Sequence, residues 1–291
     1  MSVWLLSHLK GSPGNRIFTQ EGEARGHEVR LVDPATLGWA CTDGFCGFLE
    51  DRPSLVFTRL GSSASESDLY PVRLLEAAGI AVLNSYAALR ICRDKIQTYL
   101  HLKMAGVPFP DTMWLGAGWT AEQVEEHCGP PPHIVKVVNG SQGEGVVLSE
   151  SWRSLASLVG AMRAVGAPIL VQRFLAEARG QDTRVLVVGG KAVGAAVRSA
   201  QKPGEFRSNL HLGGQAAVVE PSQQQSLVAE SAVRCLGLQV AGVDLLDSER
   251  GPVVVEVNGS PGYEASPFFV RHVWDFLENS HLPHSAGSCF P

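Results

Sequence analysis

Strands and helices alternate through the first part of the chain, and this alternation constrains the fold more than any other feature. Short apolar runs that predict strands are "SVWLLSH", "EVRLVDP", "LVFTRLG" and "IAVLN". The stretches between them include "NRIFTQEGEARGH" and "DLYPVRLLEAAG", which have helical patterns. Because parallel strands need crossover connections, which are usually helices, this block predicts a parallel α/β sheet that ends near Cys92.

Two further blocks follow in the 291-residue chain, which is long enough for two or three domains. The second begins with one long predicted helix, "SYAALRICRDKIQTYLHLKMAG", capped by Ser85 and ended by Gly106. The third is rich in strands, among them "TRVLVVGG", "KAVGAAVRS", "VAGVDLLD" and "PVVVEVNG". The sequence therefore predicts domains at 1–92, 93–171 and 172–282, with a mobile tail at 283–291.

A glycine-rich segment, "KVVNGSQGEGVVL", joins two predicted strands of the middle block. Its spacing matches neither a dinucleotide-binding fingerprint nor a Walker A loop. Bare backbone amides at the tip of such a hairpin can close over phosphates, although an ordinary hairpin turn is an equal alternative. Lys136 lies in the preceding apolar strand, where burial is costly unless an anion pairs with it. The alternative is that this lysine reaches out to the edge of the sheet.

Oxygen-bearing side chains interrupt two apolar strands of the last block. Asp244 lies in "VAGVDLL", and Glu256 and Asn258 lie two residues apart in "VVVEVNGSPG", so the last two share one face of their strand. If the strands pair, the three side chains converge, and such a set of oxygens suits Mg²⁺ together with phosphate oxygens. The alternative is one polar face of a half-exposed sheet.

Charge and cysteine content exclude several classes of protein. The 29 Asp and Glu residues outnumber the 24 Lys and Arg residues, which gives a net charge of −5 and no basic nucleic-acid footprint. The six cysteines show no zinc spacing, which is typical of reduced thiols in a cytoplasmic protein. No apolar run reaches transmembrane length, so we expect no membrane partner. The oligomeric state stays open, a homo-oligomer included.

Taken together, these motifs resemble those of the ATP-grasp superfamily, and within it the RimK-like carboxylate–amine (α-L-glutamate) ligases. The segments "RDK", "VKVVNGSQGEGVVL", "GQDTRVLVVG", "FRSNLHLGG", "VAGVDLL" and "VEVNGSPGYE" fall in the family's order and spacing. The resemblance covers most of the chain from Ala87 to about Glu264. It implies an α/β fold with α+β character: an N-terminal Rossmann-like (pre-ATP-grasp) parallel sheet, a small central domain and a mainly antiparallel C-terminal domain.

The resemblance also implies a role for individual residues. The phosphates of the nucleotide would be bound by Lys95 and Lys136, with Arg207, Ser208 and Asn209 nearby. A flexible lid over them would consist of Gly140, Ser141, Gln142, Gly143 and Gly145. The adenine would face a hinge of Gln172, Arg173, Phe174 and Leu175, and the ribose would contact Asp182. Mg²⁺, with Mn²⁺ as an alternative, would be held by Asp244, Glu256 and Asn258. Arg198 and Arg207 would steady the acylphosphate and substrate carboxylates, with Arg184 as a third candidate. Arg173 and Leu212 depart from the family pattern, which commonly has Glu and Arg there.

The implied activity is an ADP-forming ligation. A carboxylate attacks the γ-phosphoryl group of ATP, and an amine then displaces phosphate from the acylphosphate to form an amide. The three arginines Arg184, Arg198 and Arg207 favour an anionic amino acid, glutamate before aspartate, if at least two point into the site. The acceptor, a protein C-terminus, a peptide or a small molecule, is not identified by the sequence. Two alternatives are an ATP-binding regulatory protein and a kinase of the same fold.

Overall fold

The computed structural model describes residues 1–9, 11–42, 45–48, 52–61, 64–138, 145–178, 180–201, 215–262 and 267–279. In this part of the chain the strands form sheets of four, four and five strands and one two-stranded hairpin. The helices of the same residues include none that is long and apolar enough to cross a membrane. The predicted tail at 283–291 lies outside the described residues.

The first sheet is parallel, as the alternating pattern predicts. The elements of this block are β1 (Ser2–Leu6), α1 (Pro13–Ala24), β2 (Glu28–Val32), β3 (Trp39–Thr42), β4 (Phe45–Phe48), β5 (Leu55–Thr58), α2 (Tyr70–Ala77) and β6 (Ala81–Leu83). The strand order is β2-β1-β5-β6, and β3 and β4 form the separate antiparallel hairpin. Because the chain leaves β1 toward β2 on one side and meets β5 on the other, the carboxyl ends of β1 and β5 flank a topological switch point.

The second block begins with two helices rather than the single long helix that the sequence predicts. Its elements are α3 (Tyr86–Arg93), α4 (Lys95–Met104), β7 (Thr112–Trp114), α5 (Ala121–Cys128), β8 (His133–Val137), β9 (Val146–Ser149), α6 (Trp152–Ala164) and β10 (Ile169–Arg173). The expected continuous helix is wrong because Asp94 has extended backbone angles and its carboxylate accepts hydrogen bonds from the Ile96 and Gln97 amides. This is an N-cap, and it makes Lys95 the first residue of α4.

The second sheet is antiparallel, with the order β7-β10-β8-β9. One of its faces packs against α5 and α6 through an apolar cluster that contains Val124, Leu155 and Val171. The antiparallel pairing of β8 with β9 confirms the hairpin that was predicted around the glycine-rich segment. The predicted domain boundary between residues 171 and 172 falls inside β10, and the boundary between 92 and 93 falls inside α3. The division into domains stays a prediction.

The third sheet carries the predicted acidic strands. Its block contains β11 (Gln181–Val188), β12 (Lys191–Ser199), β13 (Gln215–Val219), α7 (Gln223–Cys235), β14 (Val240–Ser248), β15 (Gly251–Asn258) and α8 (Pro267–Asn279). The sheet is antiparallel with the order β13-β12-β11-β14-β15. The predicted capping box of Ser222 and Gln225 begins α7, which packs on one face of the sheet.

Helix α8 joins the first sheet to the third, and the sequence pattern did not identify it. Phe269, Val273 and Trp274 of this helix are buried in one cluster with residues of β1 and of β11. The indole of Trp274 also donates a hydrogen bond to the Phe18 carbonyl in α1 at 3.0 Å. Gly22 is required in α1 because a Cβ atom there would overlap the Trp274 ring. This packing fixes the carboxyl ends of β1 and β5 next to the acidic strands.

Candidate active site

Asp244, Glu256 and Asn258 lie on the neighbouring strands β14 and β15. The register places Asp244 opposite Glu256 and Gly242 opposite Asn258, and it shifts between Asp244 and Leu245, as at a β-bulge. The Asn258 side-chain amide points to Asp244, with 3.5 Å between Nδ2 and Oδ2. The two strands therefore pair, which is the condition under which the three side chains were predicted to converge.

Two arginines already hold the Asp244 carboxylate, which is only 2% exposed. Arg184 on β11 donates from Nε to Oδ1 at 2.6 Å and from Nη2 to Oδ2 at 2.7 Å. Arg198 on β12 places Nη2 2.8 Å from Oδ2 of the same carboxylate. Burial alone would raise the pKa of Asp244, but the two guanidinium charges outweigh it and lower that pKa well below its ordinary value. Asp244 is thus an ionised, doubly paired group.

Asp182 is the second partner of Arg198. The Arg198 Nε donates to Asp182 Oδ1 at 2.7 Å, and Nη2 bonds to the other carboxylate oxygen. The argument for an anionic amino acid requires arginines that lack a carboxylate partner within the protein. Arg184 and Arg198 do not meet this condition, because Asp244 and Asp182 supply one. The roles of these arginines at the acylphosphate, and of Asp182 at the ribose, stay predictions.

Glu256 differs from Asp244 in its electrostatic surroundings. No side-chain hydrogen bond or ion pair joins Glu256 to another residue in the described part of the chain. Burial, followed by the charge of Asp244, raises the pKa of Glu256 above its ordinary value, against the attraction of nearby lysine and arginine side chains. Glu256 is therefore a carboxylate that no side chain of the described residues pairs with directly, in contrast to Asp244.

Lys136 is buried, as the apolar strand around it requires, with 9% of its surface exposed. Its Nζ donates to Oε1 of Gln172 on the neighbouring strand β10 at 2.7 Å. Gln172 in turn donates to the Tyr99 hydroxyl at 3.0 Å, and that hydroxyl donates to the Val255 carbonyl at 3.0 Å. The proposed alternative position at the sheet edge is excluded. The side chain of Gln172 thus holds Lys136 in place, and the role of Gln172 in a nucleotide hinge stays a prediction.

Lys95 reaches the same region from the start of α4. Its Nζ donates to the Val138 carbonyl at 3.3 Å. Burial lowers the pKa of Lys95, and the Lys136 charge adds to this effect, while Glu256 opposes it. The two predicted phosphate-contacting lysines are therefore close enough to act on each other and on Glu256, although they lie on different elements.

Several predicted nucleotide contacts fall on residues that the structure does not describe: Gly140, Ser141, Gln142, Gly143, Arg207, Ser208 and Asn209. Gly145 is described and directly precedes the return strand β9, with a positive φ of 70°. In the predicted hinge, Arg173 is exposed, with Nη1 3.8 Å from an Asp111 carboxylate oxygen, and Phe174 and Leu175 are half-buried. The roles of these residues at the nucleotide stay predictions.

A cavity of about 770 Å³ lies where the first and third sheets meet. Its lining includes Lys95, Arg184, Arg198, Glu256 and Asn258 from the predicted site. It also includes residues that the sequence analysis did not assign: Asn15, Arg59, Arg93 and Ser260. In the sequence, only proximity to predicted site residues could have identified two of them. Arg93 precedes Lys95 in "RDK", and Ser260 follows Asn258 in the "GSPG" turn.

The donor set fits Mg²⁺ or Mn²⁺ in its chemistry, since two carboxylates and an amide oxygen are hard ligands. Glu256 and Asn258 can turn oxygen atoms to such an ion, whereas Asp244 must first give up at least one arginine contact. The described residues contain no group of three or more His, Cys, Asp or Glu side chains that could hold a metal. Among the described residues, the third ligand of the predicted site would therefore be Asn258, and this role stays a prediction.

Comparison with known families matches residues 92–269 to the model of a "RimK-like ATP-grasp domain". This match covers more than half of the chain. The chain belongs to the RimK-like ATP-grasp family. A "Probable alpha-L-glutamate ligase" of Xanthomonas euvesicatoria pv. vesicatoria (strain 85-10) is 39% identical over 269 residues, which are 91% of each chain. This member of the RimK-like family is thus an ATP-dependent ligase that forms C–N bonds.

Solved structures support the fold of this RimK-like chain. The RimK domain protein ATP-grasp from Sphaerobacter thermophilus DSM 20745 aligns with a TM-score of 0.75, at 24% identity, over 95% of this chain and 99% of its own. The ATP-grasp ligase PsnB, complexed with a phosphomimetic variant of its minimal precursor, Mg and ADP, aligns with a TM-score of 0.71, at 20% identity, over 95% and 97%. The expected ATP-grasp architecture is confirmed.

Proposed function

We propose that the protein joins the amine of glutamate to a carboxylate of an acceptor, which is a protein C-terminus, a peptide or a small molecule, and that ATP activates that carboxylate. The observation that carries the proposal is that Asp244 and Glu256 face each other on paired strands, with Lys95 on the wall of the cavity that Glu256 lines. Lys136 is held nearby through its hydrogen bond to Gln172, which bonds in turn to Tyr99. A buried lysine and a half-buried lysine beside two carboxylates match the needs of a polyphosphate with its divalent ion.

Binding of ATP would neutralise several charges at once. Lys95 and Lys136 would donate to phosphate oxygens, which also removes the cost of burying Lys136. Glu256, Asn258 and Asp244 would hold Mg²⁺, which neutralises phosphate charge and keeps the phosphoryl group in position when bound. Backbone groups of Gln172 to Leu175 would face the adenine.

The arginine pairs suggest how the charges are redistributed. When Asp244 turns toward the metal, Arg184 and Arg198 lose part of their protein partner. Their guanidinium groups would then be available to oxygen atoms of the acylphosphate, through forked hydrogen bonds. Asp182 would keep Arg198 in place during this exchange, because it holds the Nε atom.

The chemistry needs no protein nucleophile. A carboxylate oxygen of the acceptor bonds to the γ-phosphorus while the bond from that phosphorus to ADP breaks. The glutamate nitrogen then attacks the acyl carbon, phosphate leaves, and the nitrogen loses a proton. The chain contributes alignment and charge neutralisation, which supply most of the rate enhancement in phosphoryl transfer.

Glutamate is supported by the relatives rather than by the arginines. The related Xanthomonas protein is named an alpha-L-glutamate ligase, and so is a Legionella pneumophila (strain Corby) protein with 38% identity over 84% of this chain. The argument from unpaired arginines no longer holds, because Arg184 and Arg198 already have aspartate partners. We therefore still expect glutamate as the amino acid, but on the basis of the related proteins.

The proposal predicts that glutamate drives phosphate release faster than any other common amino acid. The measurement is the initial rate of phosphate release with ATP, Mg²⁺ and a dialysed cell extract as the source of acceptor, across all common amino acids. Labelled glutamate and mass spectrometry then identify the product. A faster rate with lysine or an apolar amino acid would contradict the assignment of glutamate.

A further inference from the structure

Two hydrogen-bond donors on the cavity wall have no acceptor among the residues that the structure describes. The Nη1 atom of Arg93 and the hydroxyl of Ser260 are both buried without a hydrogen-bond partner in the described part of the chain. Both residues line the same cavity as Glu256. Since leaving a buried donor unsatisfied is costly, such atoms point to a ligand that supplies the acceptor.

Ser260 is held firmly in this position by the turn that follows β15. The Asn84 side chain donates to the Gly259 carbonyl at 2.8 Å, and Arg59 donates from Nη1 to the Pro261 carbonyl at 2.5 Å. The carbonyl groups on both sides of Ser260 are therefore anchored, one by a residue that follows β6 and one by a residue that follows β5. The turn backbone that carries the Ser260 hydroxyl is therefore fixed on both sides of this residue.

Arg93 comes to the same turn from the end of α3. A Cβ atom on Gly259 would lie 3.1 Å from the Cys92 Sγ atom, so the turn backbone packs directly against the end of that helix. Arg93 follows Cys92 in the chain, and Ser260 follows Gly259. The packing therefore brings the elements that carry the two donors together, at the opening between the first and third sheets.

An anion with two acceptor oxygens satisfies this arrangement. Arg93 makes no ion pair with a described residue, in contrast to Arg184 and Arg198, which have aspartate partners. Lys95 and Lys136 already provide the charges that suit phosphates. A guanidinium and a neutral hydroxyl on a fixed turn suit a carboxylate that keeps its charge throughout the reaction.

We propose that Arg93 and Ser260 bind a carboxylate of the incoming glutamate, and that Arg59 is a positioning residue for the turn that carries Ser260. The inference rests on the proposed function, because glutamate retains both of its carboxylates when its amine reacts. It places the amino acid at the switch-point end of the cavity, next to β1 and β5, with its amine toward Glu256 and the phosphates.

The test is calorimetric titration of L-glutamate into protein that is saturated with Mg²⁺ and a non-hydrolysable ATP analogue. Arg93→Gln is expected to weaken glutamate binding about 10- to 100-fold, and Ser260→Ala about 2- to 10-fold. Affinity for the ATP analogue should be unchanged in both. The matched control is Arg90→Gln, which removes an exposed arginine one turn earlier on α3 that pairs with Glu66.

Glutamine and isoglutamine identify the carboxylate, since each lacks one of the two that glutamate carries. The analogue that lacks the bound carboxylate should bind wild type and Arg93→Gln equally weakly. Equal glutamate affinity in wild type, Arg93→Gln and Ser260→Ala would overturn this inference and leave the proposed function intact. A wild type that binds the ATP analogue but not glutamate would overturn both. Weaker binding of the analogue itself would assign Arg93 to the nucleotide instead. If Arg93→Gln does not fold, Ser260→Ala decides, because it removes only an unpartnered hydroxyl.

Discussion

Glu256→Gln is expected to abolish ATP turnover without lowering the thermal stability of the protein. Burial and the facing Asp244 charge both disfavour the ionised form of Glu256, and no described residue pairs with it. A neutral amide of the same size therefore removes a repulsion rather than a contact. It also removes a charged ligand of the proposed metal, so phosphate charge stays uncompensated. The measurements are Mg²⁺-dependent ADP release and a thermal melt in EDTA.

Asp244→Asn is the matched comparison for Glu256→Gln, because both changes convert a carboxylate to an amide in the same proposed site. Turnover should be lost again, but the melting temperature should fall. Asp244 neutralises Arg184 and Arg198, and breaking a buried ion pair by removing one partner costs about 3–5 kcal/mol. Normal turnover in both variants would refute the metal site, and equal melting temperatures would contradict the described difference between the two carboxylates.

Lys136→Met is expected to weaken binding of an ATP analogue at least tenfold while changing stability much less. The substitution removes a cation that the proposal places on a phosphate, where a charge-assisted hydrogen bond contributes about 1.5–3 kcal/mol. In the protein without nucleotide the buried amine keeps its hydrogen bond to Gln172, and the attraction of Glu256 and Asp244 partly offsets the cost of its burial. The control is Lys103→Met, an exposed lysine on α4. Unchanged affinity with a large loss of stability would make Lys136 a structural residue.

The same lysine gives nucleotide binding a pH dependence of definite sign. Burial lowers the pKa of Lys136 to about 8, against the attraction of Glu256 and Asp244. Phosphate oxygens favour the protonated amine, so affinity should be highest below that pKa and should fall as pH rises through it. Titrations of the analogue between pH 7 and 9.5 should show this fall in wild type, and Lys136→Met should lack it. A parallel pH profile in the variant would assign the effect to another group.

The sequence predicted the acidic strands well because their signal is local. Polar oxygens at spacings of two within apolar runs reveal which strand face they share, and strand pairing then suffices to bring Asp244 and Glu256 together. The same local pattern identified Lys136 as an unusual charge in an apolar strand, but it left open whether the side chain is buried or reaches the sheet edge. The break at Asp94 was missed, although it too is local, because apolar periodicity continues across it and hides the N-cap.

The partners of the arginines could not be predicted in this way. Arg198 reaches Asp244 across the intervening strand β11, and that contact depends on the register of three strands at once. The packing of helix α8 was also not predicted, because its apolar face is buried against strands that are distant in the sequence. The unpartnered donors of Arg93 and Ser260 become visible only when every neighbouring acceptor is placed.

The identity of the nucleotide product tests the acylphosphate route most directly. The measurement is separation of nucleotides by chromatography after reaction of ATP with glutamate and a dialysed cell extract that supplies the acceptor, with Glu256→Gln as the blank. The account predicts that ADP and phosphate form above this blank in equal amounts, each matched by incorporated glutamate. Stoichiometric AMP and pyrophosphate would contradict it, because the proposed reaction breaks the bond to the γ-phosphorus.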